Sequence, residues 1–435
     1  MASNAQRTVG DYVTLQRGTT YSGALVGDPG PPLLGLGSIN PGGGFRSGRY
    51  KTFGGECPPK IMVPPGGAYV ALKGATKDGS MVGSVARLPR SMPPGRLTQD
   101  TARLDFSDPE PMVAAHVYWV LQTPQYRKYC AGRLTGSASA SFSRDDFLAF
   151  HIPSITPETR ATVRLLDAIQ DKIELNRRMS QTLETIARVL FKSWFVDFDP
   201  VRAKAQGRDP GLPAHLADVF PTSFDGSKLE EVPTGWSVRS LDNIARFLNG
   251  LALQKYPSED GRSLPVIKIA QLHSGSTSDA NSASADLAPD YIVDDGDVLF
   301  SWSGSLECVL WAGGRGALNQ HLFKVTSAAF PRWLYYLWIA RYLGDFRGIA
   351  AGKATTMGHI QRHHLTEAKV VLPPLSVLPH LDAVLDPIIE RAWRTGVEAR
   401  TLASVRDSLL PKLISGELQV DVAERVAERA AFSAS

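Results

Sequence analysis

Two stretches of this 435-residue chain carry apolar residues at helical spacing over more turns than the core of one compact domain requires. The first places Leu166, Ile169, Ile173, Met179, Leu183, Ile186 and Leu190 in steps dominated by three and four. The second does the same with Leu381, Leu385, Ile388, Ala392, Ala399, Leu402, Val405 and Leu409. A seam this narrow predicts a helix that lays one face along a partner. No proline interrupts residues 158–198; in the second stretch Pro387 sits near the start and Pro411 marks the end. A helix of roughly 35 residues is about 50 Å long. The nearest partner for each seam is the other helix, which predicts an antiparallel coiled coil. Asn176 falls near the first seam, where it either fixes the register of the pair or points to solvent at an irregularity. Phe191, Trp194, Phe195 and Phe198 end that helix in an aromatic cluster. Packing against the neighbouring globule is the preferred reading, a partner-docking patch the other.

The segments ahead of the two helices are diverged copies of one another. Gly66-Gly-Ala-Tyr-Val-Ala-Leu-Lys-Gly-Ala75 runs parallel to Gly296-Asp-Val-Leu-Phe-Ser-Trp-Ser-Gly304, and both read as an apolar strand entering a polar turn. Pro32-Leu-Leu-Gly-Leu-Gly-Ser-Ile39 parallels Leu264-Pro-Val-Ile-Lys-Ile-Ala270, and Gly136 to Ser143 parallels Gly352 to His359. Short apolar stretches then end in Pro153 and Pro373. The repeat is far too long for a solenoid. These features predict an α+β fold with a pseudo-two-fold internal repeat. Mixed α/β globules occupy 1–155 and 236–376, and long antiparallel helices occupy 156–198 and 377–415. A surface linker rich in Pro, Gly and charge spans 199–235, and the tail at 416–435 adds a short helix or stays mobile. A hydrophobic content of 43% and a charged content of 21% exclude a disordered chain. Nothing has the length of an apolar membrane span, and Met1 to Arg7 lacks the apolar run of a signal peptide. Cys57, Cys130 and Cys308 form no CxxC pair and no disulfide framework, which fits a reducing cytoplasm.

Two related modules on a rigid spacer suit duplex DNA, whose turn of about 34–36 Å sets the distance between half-sites on one face. Unlike modules would read unlike half-sites separated by an unread gap. Residues 1–150 hold 16 basic and 10 acidic side chains and residues 236–373 hold 13 and 12, so the first half is the more attractive to phosphate. Base edges are read by directional polar groups on loops or strands. In the second half these are Gln254, Lys255 and Tyr256; Ser301, Ser303 and Ser305; Asn319, Gln320 and His321; and Lys353, Thr355, Thr356, His359, Gln361, Arg362, His363 and His364. In the first half Arg46, Arg49, Lys51, Lys73, Lys77, Arg87 and Arg144 are comparable. Each alone also reads as solvated surface; as clustered loop sets they are candidates for DNA contact.

The stretch Asp171-Lys-Ile-Glu-Leu-Asn-Arg-Arg178, followed by Thr182-Leu-Glu-Thr-Ile-Ala-Arg-Val-Leu-Phe-Lys-Ser-Trp-Phe-Val-Asp-Phe-Asp-Pro-Val-Arg-Ala-Lys204, resembles the central region of type I restriction–modification specificity subunits. So do Gly207-Arg-Asp-Pro-Gly-Leu-Pro213, Gly235-Trp236 with Leu241, Gly296-Asp-Val-Leu-Phe-Ser301, Thr355-Thr-Met-Gly-His-Ile360 and Leu409-Leu-Pro-Lys-Leu-Ile-Ser-Gly-Glu-Leu418. The resemblance implies that each globule is a target-recognition domain and that the helices are the spacer. It implies docking of two modification subunits, which bind S-adenosylmethionine and methylate adenine N6. Two restriction subunits then join, using ATP and magnesium to translocate and cut DNA. The specificity subunit itself would hold no cofactor and catalyse nothing.

A freestanding methyltransferase or nuclease with divergent motifs is the rival reading. Such a methyltransferase needs an Asn/Asp-Pro-Pro-aromatic motif; Asn40-Pro-Gly-Gly43 and Asp199-Pro-Val201 do not fit it. Gly35-Leu-Gly37 opens a GxG, but Asn40 stands where the fingerprint needs glycine, so it reads as a turn. Gly348-Ile-Ala-Ala-Gly-Lys353 is a phosphate loop one residue short, and Ala354 replaces its Ser/Thr. His359 and His363 have zinc-protease spacing without the glutamate that should follow the first histidine, so no metal site is expected.

Overall fold

The structure is a computed structural model and describes residues 7–46, 50–74, 79–135, 140–226, 231–258, 261–352 and 358–434. The chain divides into two compact units, Met1–Glu174 with Leu402–Phe432, and Leu175–Thr401 with Ser433–Ser435.

In the first unit an antiparallel sheet orders Val13–Arg17, Thr101–Phe106, Ala68–Ala71 and Val85–Arg87. A second sheet orders Lys51–Thr52, Pro32–Leu34, Gly95–Leu97 and Met62–Val63, and only its central pair is parallel. Arg7–Thr8 pairs with His151–Ile152 and ties the start of the globule to its end. The second unit repeats this strand order with Arg246–Asn249, Leu322–Thr326, Val298–Ser301 and Cys308–Leu310 in one sheet. Ser282–Ser284, Ser263–Ile267, Gly316–Leu318 and Ile292–Val293 form the other, again with a parallel central pair. Ser237–Ser240 with Lys369–Leu372 makes the closing ladder. The duplication in sequence is thus a duplication of topology.

The central strands explain themselves. Ala68–Ala71 and Val298–Ser301 are buried along their whole length, so each reads as an unbroken small or apolar run. Alternation then divides their side chains between two cores. Ala68 and Val70 enter the main core of the first unit, and Tyr69 and Ala71 enter a smaller one. Val298 and Phe300 likewise feed one core of the second unit, and Leu299 feeds another.

The long helices run over Pro157–Phe195 and Leu378–Ile414. In the first unit Val163 and Leu166 share a core with Leu409, Leu410 and Leu413. In the second unit Ala187, Phe191, Trp194 and Phe195 share one with Leu378, Leu381, Leu385 and Ile389. Early residues of one helix therefore pack with late residues of the other in both units, which is antiparallel pairing. Leu166, Ile169 and Ile173 are buried as the spacing predicts, Asn176 is buried rather than turned to solvent, and Met179, Leu183 and Leu190 are half-buried. Ile186 is a correction. It is 43% exposed, and Ala187 is the fully buried residue. The seam steps on to 180, 183, 187 and 191, and a search for large apolar residues passes over the small one. In the second helix Leu385, Ala392, Ala399, Leu402 and Leu409 are buried and Val405 is half-buried, while Ile389 lies deeper than Ile388. Pro411 does not end this helix, which continues to Ile414.

The segment after the first helix is not a surface linker throughout. It forms helices Asp199–Ala205 and Ala214–Ala217 and delivers Val201, Leu216 and Phe220 to the core of the second unit. Phe198 begins it with a left-handed backbone (φ 55°), and its ring packs 6.1 Å from those of Phe224 and Trp236. All four aromatics of the helix end lie in this core. The tail forms helix Val420–Ala434, which buries Ala423 in the first unit. Among the described residues no helix is long and apolar enough to cross a membrane.

Candidate nucleic-acid interface

The two ends of strand Val298–Ser301 have different surroundings. Before its start, Gly296 has φ 88°, and a Cβ added there would meet Arg332 at 2.8 Å and the Trp393 ring at 3.3 Å. Arg332 pairs with Glu390 at 2.5 Å and Arg400 with Asp295 at 2.7 Å, so this end is tied to the second long helix. In the first unit Gly66 and Gly67 line a cavity of about 810 Å³ together with Val163, Arg164 and Asp167 of the first long helix. The far end of each strand runs into loops away from these contacts.

Backbone pairing places those loops in strict correspondence. Gly18 N–H donates to Thr101 O and Gly250 N–H to Leu322 O, both at 3.0 Å. Thr19 bridges Thr98 as Leu251 bridges Asn319, and Lys73 bridges Ser141 as Ser303 bridges His359. Gly74 N–H reaches Ala140 O at 2.8 Å, and Gly304 N–H reaches Gly358 O at 2.9 Å. A Cβ on Gly18 would lie 2.2 Å from Thr98 O, and one on Gly250 2.3 Å from Asn319 O, so only glycine fits either place. On this shared backbone Arg17 corresponds to Asn249, Leu72 to Trp302, Lys73 to Ser303, Gln99 to Gln320, Asp100 to His321 and Ser141 to His359. Only the glutamines are alike.

In the second unit these side chains form an aromatic platform with a polar rim. Trp302 Nε1 donates to Asn249 Oδ1 at 2.9 Å and to Gln320 O at 3.2 Å, which fixes the indole. His321 and Phe323 flank it at 5.8 and 6.2 Å, and His359 presents to it at 84°. Ser303 Oγ lies 3.1 Å from His321 Nδ1. Arg362 donates to Phe247 O at 3.3 Å, with its guanidinium 5.7 Å from the Phe323 ring. In the first unit the same loop end carries two cations, Arg17 and Lys73, with Asp100 in the framework beside them. Arg17 is exposed and donates through Nε to Gln99 O at 3.1 Å. Its terminal nitrogens have no partner among the described residues, and Lys73 is exposed nearby in the framework. Fixed donors, acceptors and ring faces are what base edges require.

Residues 233–377 match the family model for the type I restriction modification DNA specificity domain. The chain is similar to the type I restriction enzyme HindI specificity subunit of Haemophilus influenzae, with 25% identity over 68% of this chain and 75% of that one. It is also similar to the type I restriction enzyme MjaIX specificity subunit of Methanocaldococcus jannaschii, with 24% identity over 71% and 70%. Residues 233–377 thus carry a type I restriction modification DNA specificity domain, and the relatives that the chain resembles are specificity subunits. Among solved structures, the crystal structure of the S subunit from M. genitalium aligns over 95% of this chain and 97% of its own, at 14% identity and a TM-score of 0.49.

The residues singled out by sequence fall into distinct places. Ser303, Gln320, His321, His359 and Arg362 come together at the loop end of the second unit. Gln254, Lys255 and Tyr256 are exposed on the short turn Leu253–Lys255 and the residue after it. Ser301 is a correction: it is buried, and its hydroxyl holds Ser305 O at 2.8 Å and Glu307 N at 2.7 Å, so it shapes the turn. Asn319 is buried too and accepts from His321 N–H at 3.3 Å. Gln361 is exposed and caps helix Arg362–Glu367. In the first unit Lys73 stands at the loop end, Lys51 is exposed on an edge strand, and Arg144 is exposed at the start of helix Arg144–Leu148. The Arg46 N–H donates to Ser38 O at 2.8 Å. Arg87 is the second correction, because its guanidinium pairs with Asp167 at 2.8 Å and lies 4.6 Å from the Tyr118 ring. Burial lowers its pKa, but Tyr118 and Asp167 outweigh burial and leave it raised. Arg49, Lys77, Lys353, Thr355 and Thr356 lie outside the described residues.

Three motif readings also find their places. The bridges make Ser141 the counterpart of His359, two residues from the alignment that spacing alone predicts. Gly348 to Gly352 is helical, within Arg332–Gly352, and makes no phosphate loop. His359 sits in a bridge while His363 sits in helix Arg362–Glu367, so they share no helix face. His363, His364 and Glu367 do cluster, with ligand atoms within 4.8 Å. Gln361 N–H donates to His364 Nδ1 at 2.9 Å, however. The neutral ring then carries its proton on Nε2 and has no lone pair left there for a cation.

Arg17, Asn249 and Trp302 are the residues that sequence reasoning missed. The available signal was a polar residue ahead of a glycine at corresponding places in both halves, Arg17-Gly18 and Asn249-Gly250.

Proposed function

We propose that this chain reads a bipartite, asymmetric duplex DNA target, one half-site per unit, and leaves the chemistry to other subunits. The observation that carries this reading is a single loop framework, built twice, with different polar side chains at equivalent positions. Repetition of the framework fits two readers of one kind of ligand, and divergence of the side chains fits two unlike half-sites. The excess of basic residues in the first 150 fits a phosphate backbone.

We infer that the partners are two modification subunits, which bind S-adenosylmethionine and methylate adenine N6, and two restriction subunits, which use ATP and magnesium. This chain would carry no cofactor and act in the cytoplasm. Support for docking comes from a second apolar stripe on the first long helix, on which Leu175, Ile186 and Val189 are 48%, 43% and 62% exposed. Half-buried Met179 continues it at helical spacing. The names of both curated relatives place them in restriction enzymes as specificity subunits.

The test is binding of the full chain, alone and co-purified with its modification subunit, to a duplex library carrying two random half-sites at varied separation. Enrichment of one gapped, asymmetric motif is expected, with log affinity falling linearly with log salt. Binding without sequence preference, or methyl transfer by the chain on its own, would overturn the reading.

A further inference from the structure

The geometry points to the residue ahead of the loop-end glycine, Arg17 in one unit and Asn249 in the other, as a base-reading position, with Arg17 taking guanine. This rests on the DNA-reading function proposed above and names how the two half-sites come to differ.

Three observations carry it. First, Arg17 pairs with Ala102 as Asn249 pairs with Phe323, so the two occupy the same place on the same strand. Second, neither flanking glycine tolerates a side chain, since Gly18 and Gly250 lie against the carbonyls of Thr98 and Asn319. That contact pins the strand end, so the preceding side chain leaves the sheet in a set direction. Third, each side chain is anchored on its inner side and open on its outer side. Arg17 is held through Nε to Gln99 O at 3.1 Å, leaving its terminal nitrogens without a partner among the described residues. Asn249 accepts from Trp302 through Oδ1 at 2.9 Å, leaving its amide NH₂ to donate. A guanidinium gripped at Nε presents a planar fork whose two donors match O6 and N7 of guanine, the commonest bidentate base contact. Its counterpart presents a lone amide NH₂ in place of a charged fork. The same fork also matches a phosphate, so the test includes a lysine variant that keeps the charge and removes the fork.

The test selects bipartite motifs from random duplexes with wild-type full-length chain and with Arg17→Ala, Arg17→Lys and Asn249→Asp, each co-purified with the modification subunit. Arg17 and Asn249 are exposed, and Asn249→Asp keeps the oxygen that holds Trp302. Arg17→Ala is expected to abolish a guanine preference at one position of one half-site, by about tenfold to a hundredfold, leaving the other half-site intact. Arg17→Lys should keep overall affinity within a few-fold but weaken that same preference. Asn249→Asp should alter the opposite half-site only. If Arg17→Ala weakens all duplexes equally and leaves the motif unchanged while Arg17→Lys restores the affinity, Arg17 is a phosphate contact and the inference fails. It fails too if both positions change the same half-site, or if the affected base is not guanine. A wild-type chain that enriches no motif overturns the DNA reading itself, whereas a wild-type motif unmoved by these substitutions overturns this inference alone.

Discussion

Asp167 shows how a single carboxylate can settle the role of a cation. It accepts from Arg87 and from Trp119 Nε1, both at 2.8 Å, and so binds two elements of the first globule to the long helix. Trp333 Nε1 makes a similar contact with Asp382 at 2.7 Å in the second unit. Another such device appears at equivalent strand positions, where Arg103 donates to Met62 O and Lys324 donates to Ile292 O. Sequence alone lists Arg87 among loop cations because nothing local shows that Asp167 lies across from it, 80 residues away. Arg87→Ala should therefore cost about 1–3 kcal/mol of stability, since Asp167 loses a charged partner. Chemical denaturation would measure the loss. Motif selection should return the wild-type sequence, and a changed motif would restore Arg87 to the set of readers.

At the scale of elements, the helices were legible from period and length, but their exact seam was not. Spacing of three and four has two continuations past Asn176, and only packing shows that Ala187 is inside and Ile186 outside. Ile186→Glu should leave stability within about 0.5 kcal/mol, while Ala187→Glu buries a charge and should cost more than about 3 kcal/mol. Thermal melts would separate the two. Combined with Val189→Glu, Ile186→Glu should abolish co-purification with the modification subunit if the outer stripe is its dock. Asn176 resolves differently from either sequence reading alone: it is fully buried, and neither amide atom has a partner among the described residues. Thr395, also fully buried, lies on the other long helix and bonds Arg391 O at 2.6 Å. Asn176→Leu should raise stability by about 1–3 kcal/mol, because an unsatisfied amide leaves the interior. A lower melting temperature would mean that the amide is satisfied in solution.

Over the whole molecule, a repeat in sequence becomes two units of one topology, each of which recruits parts of both long helices. The C-terminal helix is structural within the first unit, where Ala423 shares a core with Leu409, Leu410 and Leu413. Removing residues 419–435 should destabilise that unit by about 2 kcal/mol, which lowers its melting temperature by about 4–8 °C. Hydrogen exchange should quicken around Leu409–Leu413 and stay unchanged in Val298–Ser301. Uniform quickening would show that the tail serves both units.

Period, proline placement and internal similarity determined the fold class, the two globules and the antiparallel helices. These are local or repetitive properties, and a seam with nothing beside it in sequence has few places to go. The tertiary structure alone decided which side of a strand end faces helix and which faces loops. It moved Ser301 and Arg87 out of the reading set and brought Arg17, Asn249 and Trp302 into view. The physical reason is that burial and hydrogen-bond partners depend on residues distant in sequence, while the glycine contacts that align the two loop ends exist only when the strands are paired.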